Sequence, residues 1–395
     1  MLKKLFQHYD YTLMVAVLLL CGFGVVMVYS ASMVVTVMEY DVPSHYFFVR
    51  QLQWLAIALA VFLLTIIFPY KAYKPFMKAI LITSLLLLLF VLILGETTNN
   101  AQSWISIGGL GFQPAEFVKI GLIIYLAAIF SKKQRYISNF NQAVLPPLIV
   151  IVLTFLLVAA QPDLGTAAII AGVSGVMVMC SGLKGKHLFL LIAFAASIIG
   201  FVAVFTPFVL SDEQLSRFTS TYDPFSDPQG EGYQLINSYI AIASGGLTGQ
   251  GLGSSIQKYG FLPEPHTDFI MAIIAEELGI FGVLFVLGLL GYIVFKGFMI
   301  GIRCQDVFGS LLAIGISALI GIQSTVNLGA VTGLIPVTGV PLPFISYGGS
   351  FLVLSMMAMG ILINISSFVN MKRTFPQSAK KQMIVKKGPT ISMKR

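Results

Sequence analysis

The amino-acid sequence predicts an all-α polytopic membrane protein with ten transmembrane helices and a large extracellular loop between helices 7 and 8. Of its 395 residues, 57% are hydrophobic and only 10% are charged, whereas a soluble domain carries about 25% charged residues. Its apolar runs are about 20 residues long, which is the length that crosses about 30 Å of hydrocarbon. This composition excludes a soluble enzyme, a disordered protein and a nucleic-acid-binding protein, in spite of a net charge of +8.

Long apolar stretches define the predicted spans. The first span follows Lys3 and Lys4, and its apolar core is too long for a signal peptide, so we expect it to remain as a helix. The ten predicted spans are 11–32, 48–68, 79–95, 113–131, 143–160, 166–183, 188–209, 269–295, 308–332 and 346–368.

The distribution of cationic residues predicts the orientation of the chain in its membrane. With both termini in the cytoplasm, 20 of the 24 lysines and arginines fall on the cytoplasmic side. Only Asp10 and Asp306 among the acidic residues share that side. The remaining cations are Arg50, Arg217 and Lys258 outside, and Lys119 within a span.

The sequence predicts one transmembrane domain, 1–369, followed by a basic tail, 370–395, that we expect to be disordered. The domain includes the large extracellular loop, 210–268. Connections between packed elements are usually much shorter, and long loops often carry function. This loop contains an amphipathic stretch, 232–244, and a glycine-rich region, 245–253, so we expect an active site here, facing outward.

Charged residues within the spans are candidate functional groups, because a charge in a span is costly and faces a protein interior or a wet cavity. Glu116 and Lys119 stand three residues apart, so they share a helix face and can form an ion pair. The pair can be functional or purely structural. Glu276 and Glu277 follow Asp268 by about 12–14 Å of helix, and neighbouring residues point about 100° apart. We therefore expect one of the two to face the cavity of Asp268 and the other to be a protonated structural glutamate.

The sequence PEPHTD, 263–268, precedes the eighth span and offers two interpretations of Asp268. Asp268 can be the N-cap of the helix. Alternatively, its position beside His266, near Lys258 and after a glycine-rich segment, suits a base that acts on an amphiphile in the outer leaflet.

Two further motifs interrupt helices near the outer side. They are QPDLG, 161–165, and PLPFISYGGS, 341–350, which contains Ser346. Broken backbone at membrane depth is tolerated only where protein or a water-filled cavity surrounds it, so both motifs are candidates to line the cavity of the long loop. Ordinary turn chemistry is the alternative.

These motifs together resemble the SEDS family, the shape, elongation, division and sporulation proteins. The resemblance rests on GFQPAEFVK at 111–119, QPDLGTA at 161–167, and the long segments 244–279 and 327–350. Within the family, NNAQSW at 99–104 and the EELGIFGVLF stretch resemble the FtsW branch of Gram-positive bacilli.

The resemblance implies a peptidoglycan glycosyltransferase that polymerises lipid II on the outer face of the membrane, with septal wall synthesis as its role. It also implies a class B penicillin-binding protein and other divisome membrane proteins as partners. The essential acid of the family falls on Asp268, and its fourth-span pair falls on Glu116 and Lys119. Many members carry Arg before the outer-loop Trp, where this chain has Ser103, so we expect Arg217 or Lys258 to contact the pyrophosphate instead.

Polymerisation requires a base near the acceptor hydroxyl and positive charge near the leaving pyrophosphate. Asp268 can be that base, or it can hold a divalent cation, Mg²⁺ or Mn²⁺. The chain has no G-x-x-x-x-G-K-[ST] motif, so we expect no nucleotide cofactor. A lipid II flippase and a non-catalytic divisome scaffold are the alternative functions.

Overall fold

A computed structural model describes residues 6–98, 101–107, 110–193, 216, 219–230 and 232–374. The molecule is a bundle of helices, seven of which are long and apolar enough to cross a membrane, with two shorter apolar helices beside them. The helices are α1 (Tyr11–Met38), α2 (Tyr46–Ile67), α3 (Met77–Leu94), α4 (Pro114–Lys133), α5 (Phe140–Ala143), α6 (Leu145–Ala159), α7 (Leu164–Met179), α8 (Tyr233–Gly245), α9 (Ile270–Arg303), α10 (Val307–Val331) and α11 (Gly349–Thr374).

The all-α prediction is confirmed, and nine predicted spans coincide with α1–α4, α6, α7 and α9–α11. The predicted seventh span, 188–209, is helical up to residue 193 and otherwise lies outside the described residues, so the count of ten stays a prediction. The amphipathic stretch of the long loop forms α8. The two shorter helices, α6 and α7, have 15 and 16 residues, which gives lengths of about 22–24 Å.

The interior of the bundle consists of α4, α10 and α11. Within their apolar windows 83%, 78% and 83% of residues are buried, against 22% in α2 and in α3. Since all these helices are apolar on every side, the outer ones can expose their apolar faces to hydrocarbon. The main packing pairs are α2 with α11, α9 with α10, and α3 with α4.

One end of the bundle, which we call the Asp268 end, gathers the connections that precede α2, α4, α7, α9 and α11. The ring of Phe47, at the start of α2, packs against that of His266 at a tilt of 39°, with ring centroids 4.4 Å apart. The side chain of Gln113, just before α4, donates to Asp163, just before α7, over 3.3 Å. These contacts hold together segments that are distant in sequence.

The opposite end, which we call the Arg303 end, gathers the connections after α2, α4 and α9. The hydroxyl of Tyr70 donates to Asp306 over 3.1 Å, and the ammonium of Lys74 donates to Ser131 over 2.8 Å. Most described cations lie here, as the predicted cytoplasmic side requires. They are Lys71, Lys74, Lys78, Lys132, Lys133, Arg135, Lys184, Lys186, Lys296, Arg303 and Lys372.

A small antiparallel sheet of order β1-β2-β3 lies between α3 and α4, where the sequence analysis expected only a loop. Its strands are β1 (Glu96–Thr98), β2 (Ala101–Ile107) and β3 (Leu110–Phe112). In the register of β2 and β3, Ile105 stands opposite Phe112. The strands contact α3, α4 and α11, so the sheet covers part of the Asp268 end.

Helix α9 is interrupted at Gly279, which has φ 61° and ψ −155°. A Cβ at this position would lie 2.5 Å from the carbonyl oxygen of Leu247, so only glycine fits. The glycine-rich segment supplies the hydrogen bonds that the break removes. Gln250 N donates to Glu276 O over 2.9 Å, and Ile280 N donates to Gly246 O over 3.2 Å. The loop is therefore built into the helix as part of its backbone.

Candidate active site

Asp268 lies at the last turn before α9, but it is not the N-cap residue that one interpretation of the sequence predicted. The helix begins at Ile270, and Phe269 occupies the N-cap position. The carbonyl of Phe269 accepts the first backbone bond, from Ala272, over 3.0 Å. The N-cap position is thus occupied by a residue that makes no side-chain cap bond, and the side chain of Asp268 is partly exposed.

The backbone around Asp268 is held by two buried polar side chains from other elements. Asn327 of α10 donates to the carbonyls of Asp268 and Val340, over 2.7 and 2.8 Å. The Ser346 hydroxyl donates to the carbonyl of Thr267. Asn327 and Ser346 are each 1% exposed, so these bonds are shielded from water. They hold the backbone that carries the Asp268 side chain, and they give Ser346 a structural role at the site.

His266 forms the buried aromatic base of this loop. Its ring lies 4.4 Å from that of Phe47 and 5.6 Å from that of Tyr347. The backbone N–H of Tyr347 donates to the His266 carbonyl over 2.9 Å. Burial lowers the pKa of His266 to about 4, although the charge of Glu264 acts in the opposite direction. His266 is therefore neutral near pH 7 and cannot serve as a cation for a pyrophosphate.

Glu264 brings a second carboxylate to Asp268, which the sequence analysis did not single out. The Thr267 hydroxyl oxygen lies 2.7 Å from Glu264 Oε2 and 2.9 Å from Asp268 Oδ1. A hydroxyl has one hydrogen, so it donates to only one of them at a time. Glu264 also has φ 50°, a left-handed conformation that is costly for a residue with a side chain. The loop thus holds two carboxylates close together at one hydroxyl.

Lys258 is buried, which corrects the prediction that it contacts the pyrophosphate. Its side chain is completely buried, with Nζ 2.8 Å from Glu277 Oε1 and 3.2 Å from Ser30 Oγ. The burial is possible because Glu277 neutralises the ammonium and Ser30 of α1 also donates to that carboxylate. Lys258 therefore ties the long loop to α9 and α1.

Glu276 binds the same loop segment by a different set of contacts. It accepts a hydrogen bond from the hydroxyl of Ser255 and one from the backbone N–H of Ile256, the latter over 2.8 Å. The prediction that only one of the two glutamates is structural needs correction, since both Glu276 and Glu277 hold residues 255–258. Adjacent helical residues can do so because the loop wraps around this part of α9.

The predicted pair of Glu116 and Lys119 is present, with Lys119 Nζ 2.7 Å from Glu116 Oε1. The pair is buried in the first two turns of α4. An acidic residue in the first turn also interacts favourably with the helix dipole. The Lys119 ammonium lies 5.9 Å from the ring centroid of Phe351 in α11. The pair thus belongs to the Asp268 end, below the loop that contains Ser346.

The two interrupted motifs are joined through Gln113. Its side chain donates to Asp163 and its backbone N–H donates to the Ser350 hydroxyl, both over 3.3 Å. Asp163 also caps α7 by accepting from Thr166 N over 3.0 Å. The QPDLG motif thus includes ordinary turn chemistry at Asp163, and the two motifs also lie together at the Asp268 end.

Arg50 of α2 is a further cation at the Asp268 end. Its guanidinium lies 5.4 Å from the ring centroid of Tyr46. Burial raises the pKa of Tyr347 to about 12, and the charge of Arg50 acts against that rise, which places Arg50 near the ring that stacks on His266. Arg217, the other predicted pyrophosphate contact, lies outside the described residues.

Asn327, Glu264 and Arg50 are the residues that the sequence analysis did not select. Asn327 had a signal, because a polar residue within an apolar span usually has a partner or a function. Glu264 had only its place in the PEPHTD motif.

The fold and site define a polytopic helical membrane protein with a rigid carboxylate site at one end of its bundle. The profile of the FtsW/RodA/SpoVE family, described as cell cycle protein, matches residues 11–371, so the chain belongs to this family. It is 52% identical to the probable peptidoglycan glycosyltransferase FtsW of Bacillus subtilis over 98% of this chain and 97% of that protein. It is 40% identical to the stage V sporulation protein E of the same organism, over 91% and 97% of the two chains.

Solved structures agree with this assignment. A chain of a peptidoglycan synthase complex that coordinates polymerization and crosslinking superposes with a TM-score of 0.75 at 29% identity, covering 91% of this chain and 98% of that one. The rod shape determining protein RodA of Thermus thermophilus superposes with a TM-score of 0.66 at 28% identity, over 91% and 96% of the two chains.

Proposed function

We infer that this chain is a peptidoglycan glycosyltransferase that polymerises lipid II at the outer face of the cytoplasmic membrane, in the septal wall synthesis of cell division. Membership of the family and the names of its relatives support the enzyme class. The observation that carries the site assignment is the Asp268 carboxylate, partly exposed on a backbone that Asn327 and Ser346 hold in place. Such rigidity is what a catalytic group requires.

Asp268 is the base in this proposal. Chain growth joins the 4-hydroxyl of one sugar to the anomeric carbon of another, while the lipid pyrophosphate leaves. A carboxylate that accepts the hydroxyl proton makes the oxygen a better nucleophile. The Thr267 hydroxyl, 2.9 Å from Asp268 Oδ1, helps to orient the carboxylate.

Arg50 is our candidate for the cation that meets the pyrophosphate, because Lys258 is buried in an ion pair. A guanidinium can bind a phosphate with two hydrogen bonds. Arg50 lies near Tyr347, on the same aromatic cluster as His266, so it is close to the loop of Asp268.

A divalent cation fits the oxygen atoms that this loop offers. Within the described ranges no group of three His, Cys, Asp or Glu residues forms a complete metal site. Mg²⁺ is, however, commonly held by one or two carboxylates together with substrate phosphates. Asp268 and Glu264, both at the Thr267 hydroxyl, would supply the carboxylates. When bound, the ion would add positive charge for the leaving group.

A class B penicillin-binding protein is the partner that we propose for crosslinking the new strands. The similar chain with a TM-score of 0.75 comes from a complex that couples polymerization to crosslinking. Other divisome membrane proteins fit the division role that is suggested by the likeness to FtsW.

Purified protein with lipid II in detergent tests this proposal. Detergent micelles enclose no second compartment, so a flippase cannot transfer lipid II from one side to the other. Neither a flippase nor a scaffold would make glycan strands. We expect glycan strands, with or without added penicillin-binding protein, and less product after chelation of divalent cations. No polymer under either condition, with a protein that is still folded, would favour the flippase or the scaffold.

A further inference from the structure

A cavity of about 60 Å³ lies at the Arg303 end, far from the Asp268 loop. The 34 residues of α9 separate the two sites, which corresponds to about 50 Å along the helix. Residues from the 3₁₀ helix Tyr70–Tyr73, from the end of α9, from the α9–α10 connection and from the end of α11 meet here. The lining residues are Tyr70, Arg303, Cys304, Gln305, Asp306, Phe368, Val369 and Lys372.

The floor of this cavity is rigid and aromatic. Tyr70 is 3% exposed, and its ring meets Phe368 at 5.4 Å and stacks on Phe308 at 6.1 Å between centroids. Asn364 of α11 accepts from the Tyr70 backbone N–H over 2.9 Å. A site built on such a floor is present before any ligand arrives.

The rim of the cavity is cationic. Arg303 and Lys372 come from two different helices, and within the described part of the chain neither side chain has an ion pair or a hydrogen bond. Burial raises the pKa of the Cys304 thiol, while Lys372 and Lys71 act in the opposite direction, so the Lys71 ammonium is a third cation near the thiol. Among the described residues that line the cavity, Arg303 and Lys372 are opposed by a single acid, Asp306.

Asp306 also lines the cavity, but its carboxylate is engaged. It accepts from the backbone N–H of Gly309 as the N-cap of α10, and from the hydroxyl of Tyr70. Its charge is thus partly offset by the positive end of a helix dipole. With three cations against one capped carboxylate, the cavity favours an anion.

We propose that this cavity binds the phosphate group of an anionic phospholipid in the membrane leaflet at the Arg303 end. The volume is suited to a group of phosphate size, since one water needs about 10–15 Å³ on the same scale. Beside the cationic rim, Ile302 is 72% exposed and gives an acyl chain an apolar surface. The tail 375–395 of this chain has no Asp or Glu, so it offers no acidic side chain to the cationic rim. Basic clusters at this interface attract anionic lipid headgroups.

Native cysteines provide a site-specific test. Cys304 lines the cavity, Cys180 is exposed outside the cavity, and Cys21 is buried. The full-length protein is placed in nanodiscs of phosphatidylcholine with or without phosphatidylglycerol, and maleimide labelling of Cys304 and Cys180 is followed by peptide mass spectrometry. We expect phosphatidylglycerol to slow the labelling of Cys304 several-fold more than that of Cys180.

The double variant Arg303→Gln with Lys372→Gln should lose this protection. The control is the double variant Lys132→Gln with Arg135→Gln, which removes the same amount of charge from another surface of the Arg303 end. In this control, phosphatidylglycerol should still protect Cys304. Native mass spectrometry of the wild type gives a second readout, with phosphatidylglycerol retained in preference to phosphatidylcholine.

Equal slowing of both cysteines would show a general surface-charge effect and overturn the proposal. Protection that survives the Arg303 and Lys372 changes would also overturn it. If inorganic phosphate protects Cys304 in phosphatidylcholine nanodiscs as well as phosphatidylglycerol does, the cavity is a site for free phosphate and not for lipid.

Discussion

At the scale of single residues, the Asp268 loop obtains its precision from contacts that lie outside the loop. Asn327 comes from α10 and Ser346 from the segment before α11, and each holds one backbone carbonyl beside the carboxylate. Neither contact is visible in the local sequence of the PEPHTD motif. The geometry of the candidate base therefore depends on three separate parts of the chain.

Replacing Arg50 by Gln tests its proposed contact with the pyrophosphate. A hydrogen bond to a charged group contributes about 1.5–3 kcal/mol, so we expect kcat/KM for lipid II to fall about tenfold or more. Arg135→Gln, at the Arg303 end, is the matched control and should polymerise normally. Wild-type kinetics in the Arg50 variant would exclude it from substrate binding.

His266 predicts an acid sensitivity of stability. Its pKa is about 4 in the folded protein, against an ordinary value of 6.5 for histidine. Between these values the unfolded chain binds a proton that the folded chain does not, so stability falls as pH decreases from about 6.5 to about 4 and levels off below. A shift of this size corresponds to about 3 kcal/mol.

The measurement is thermal unfolding of the detergent-solubilised wild type and of His266→Phe across this pH range. Phenylalanine keeps the stacking with Phe47 and Tyr347 but does not titrate. We expect a smaller loss of melting temperature in the variant. Parallel curves for the two proteins would show that His266 is not kept neutral by burial.

The sequence predicted one buried ion pair and missed the other for a simple physical reason. Glu116 and Lys119 are three residues apart on one helix, so helical geometry alone brings them together. Lys258 and Glu277 are 19 residues apart, one in the long loop and the other in α9. Only the tertiary structure brings that pair together.

At the scale of elements, α9 is unusual because a loop completes its backbone hydrogen bonding. Gly249 and Gly251 have positive φ values, which allow the loop to turn back onto the helix. The side chains of Glu276 and Glu277 then hold residues 255–258. The break at Gly279, the loop segment 245–258 and the two glutamates therefore form one structural unit.

Gly279→Ala should disrupt this unit. The new Cβ would lie 2.5 Å from Leu247 O and 2.6 Å from Gly249 N, in a backbone conformation that alanine avoids. We expect a clear loss of thermal stability and of polymerisation. Gly291→Ala is the matched control on the same helix, since its Cβ meets nothing within 4 Å, and it should be neutral or more stable by up to about 1 kcal/mol. Equal thermal stability and equal polymerisation in the two variants would contradict the interruption of α9 at Gly279.

The Lys258–Glu277 pair predicts a double-mutant effect. Lys258→Met leaves a buried carboxylate without its cation, which costs about 3–5 kcal/mol. Adding Glu277→Gln removes that charge, so the double variant should recover much of the stability. Thermal unfolding in detergent measures the stability of the single and the double variant.

The partly exposed pair of Asp10 and Lys296 is the control for this comparison. Exposed pairs contribute about 0–1 kcal/mol, so Lys296→Met should have little effect. A double variant that is as unstable as Lys258→Met alone would show that the ion pair is not the source of the stability.

Element prediction from the sequence succeeded where one physical signal dominates. Apolar runs gave the helices α1–α4, α6, α7 and α9–α11, because hydrocarbon requires long uninterrupted apolar segments. The three-stranded sheet was missed, although SWISIGGLGF has alternating apolar residues around two glycines, a hairpin signal. The break in α9 has no local signal besides a glycine.

At the scale of the whole molecule, the bundle separates two chemistries. The Asp268 end carries the paired carboxylates and the long loop, and the Arg303 end carries most of the described cations and the aromatic cavity. The Asp268 end, which the charge distribution predicts to face outward, thus carries the proposed catalytic carboxylate. The identity of the site residues needed the structure, because contacts among α2, α9, α10 and α11 create it.

The most direct test of the central claim is lipid II polymerisation by purified Asp268→Asn. The amide keeps the size of the side chain but cannot act as a base at neutral pH, so we expect polymerisation to fall by about 10²–10⁴-fold. Asp41→Asn, an exposed acid at the same end with φ 50° that asparagine tolerates, is the matched control and should be fully active. Both variants should unfold at the wild-type temperature. Polymerisation by Asp268→Asn at the wild-type rate would contradict the assignment of Asp268 as the catalytic base.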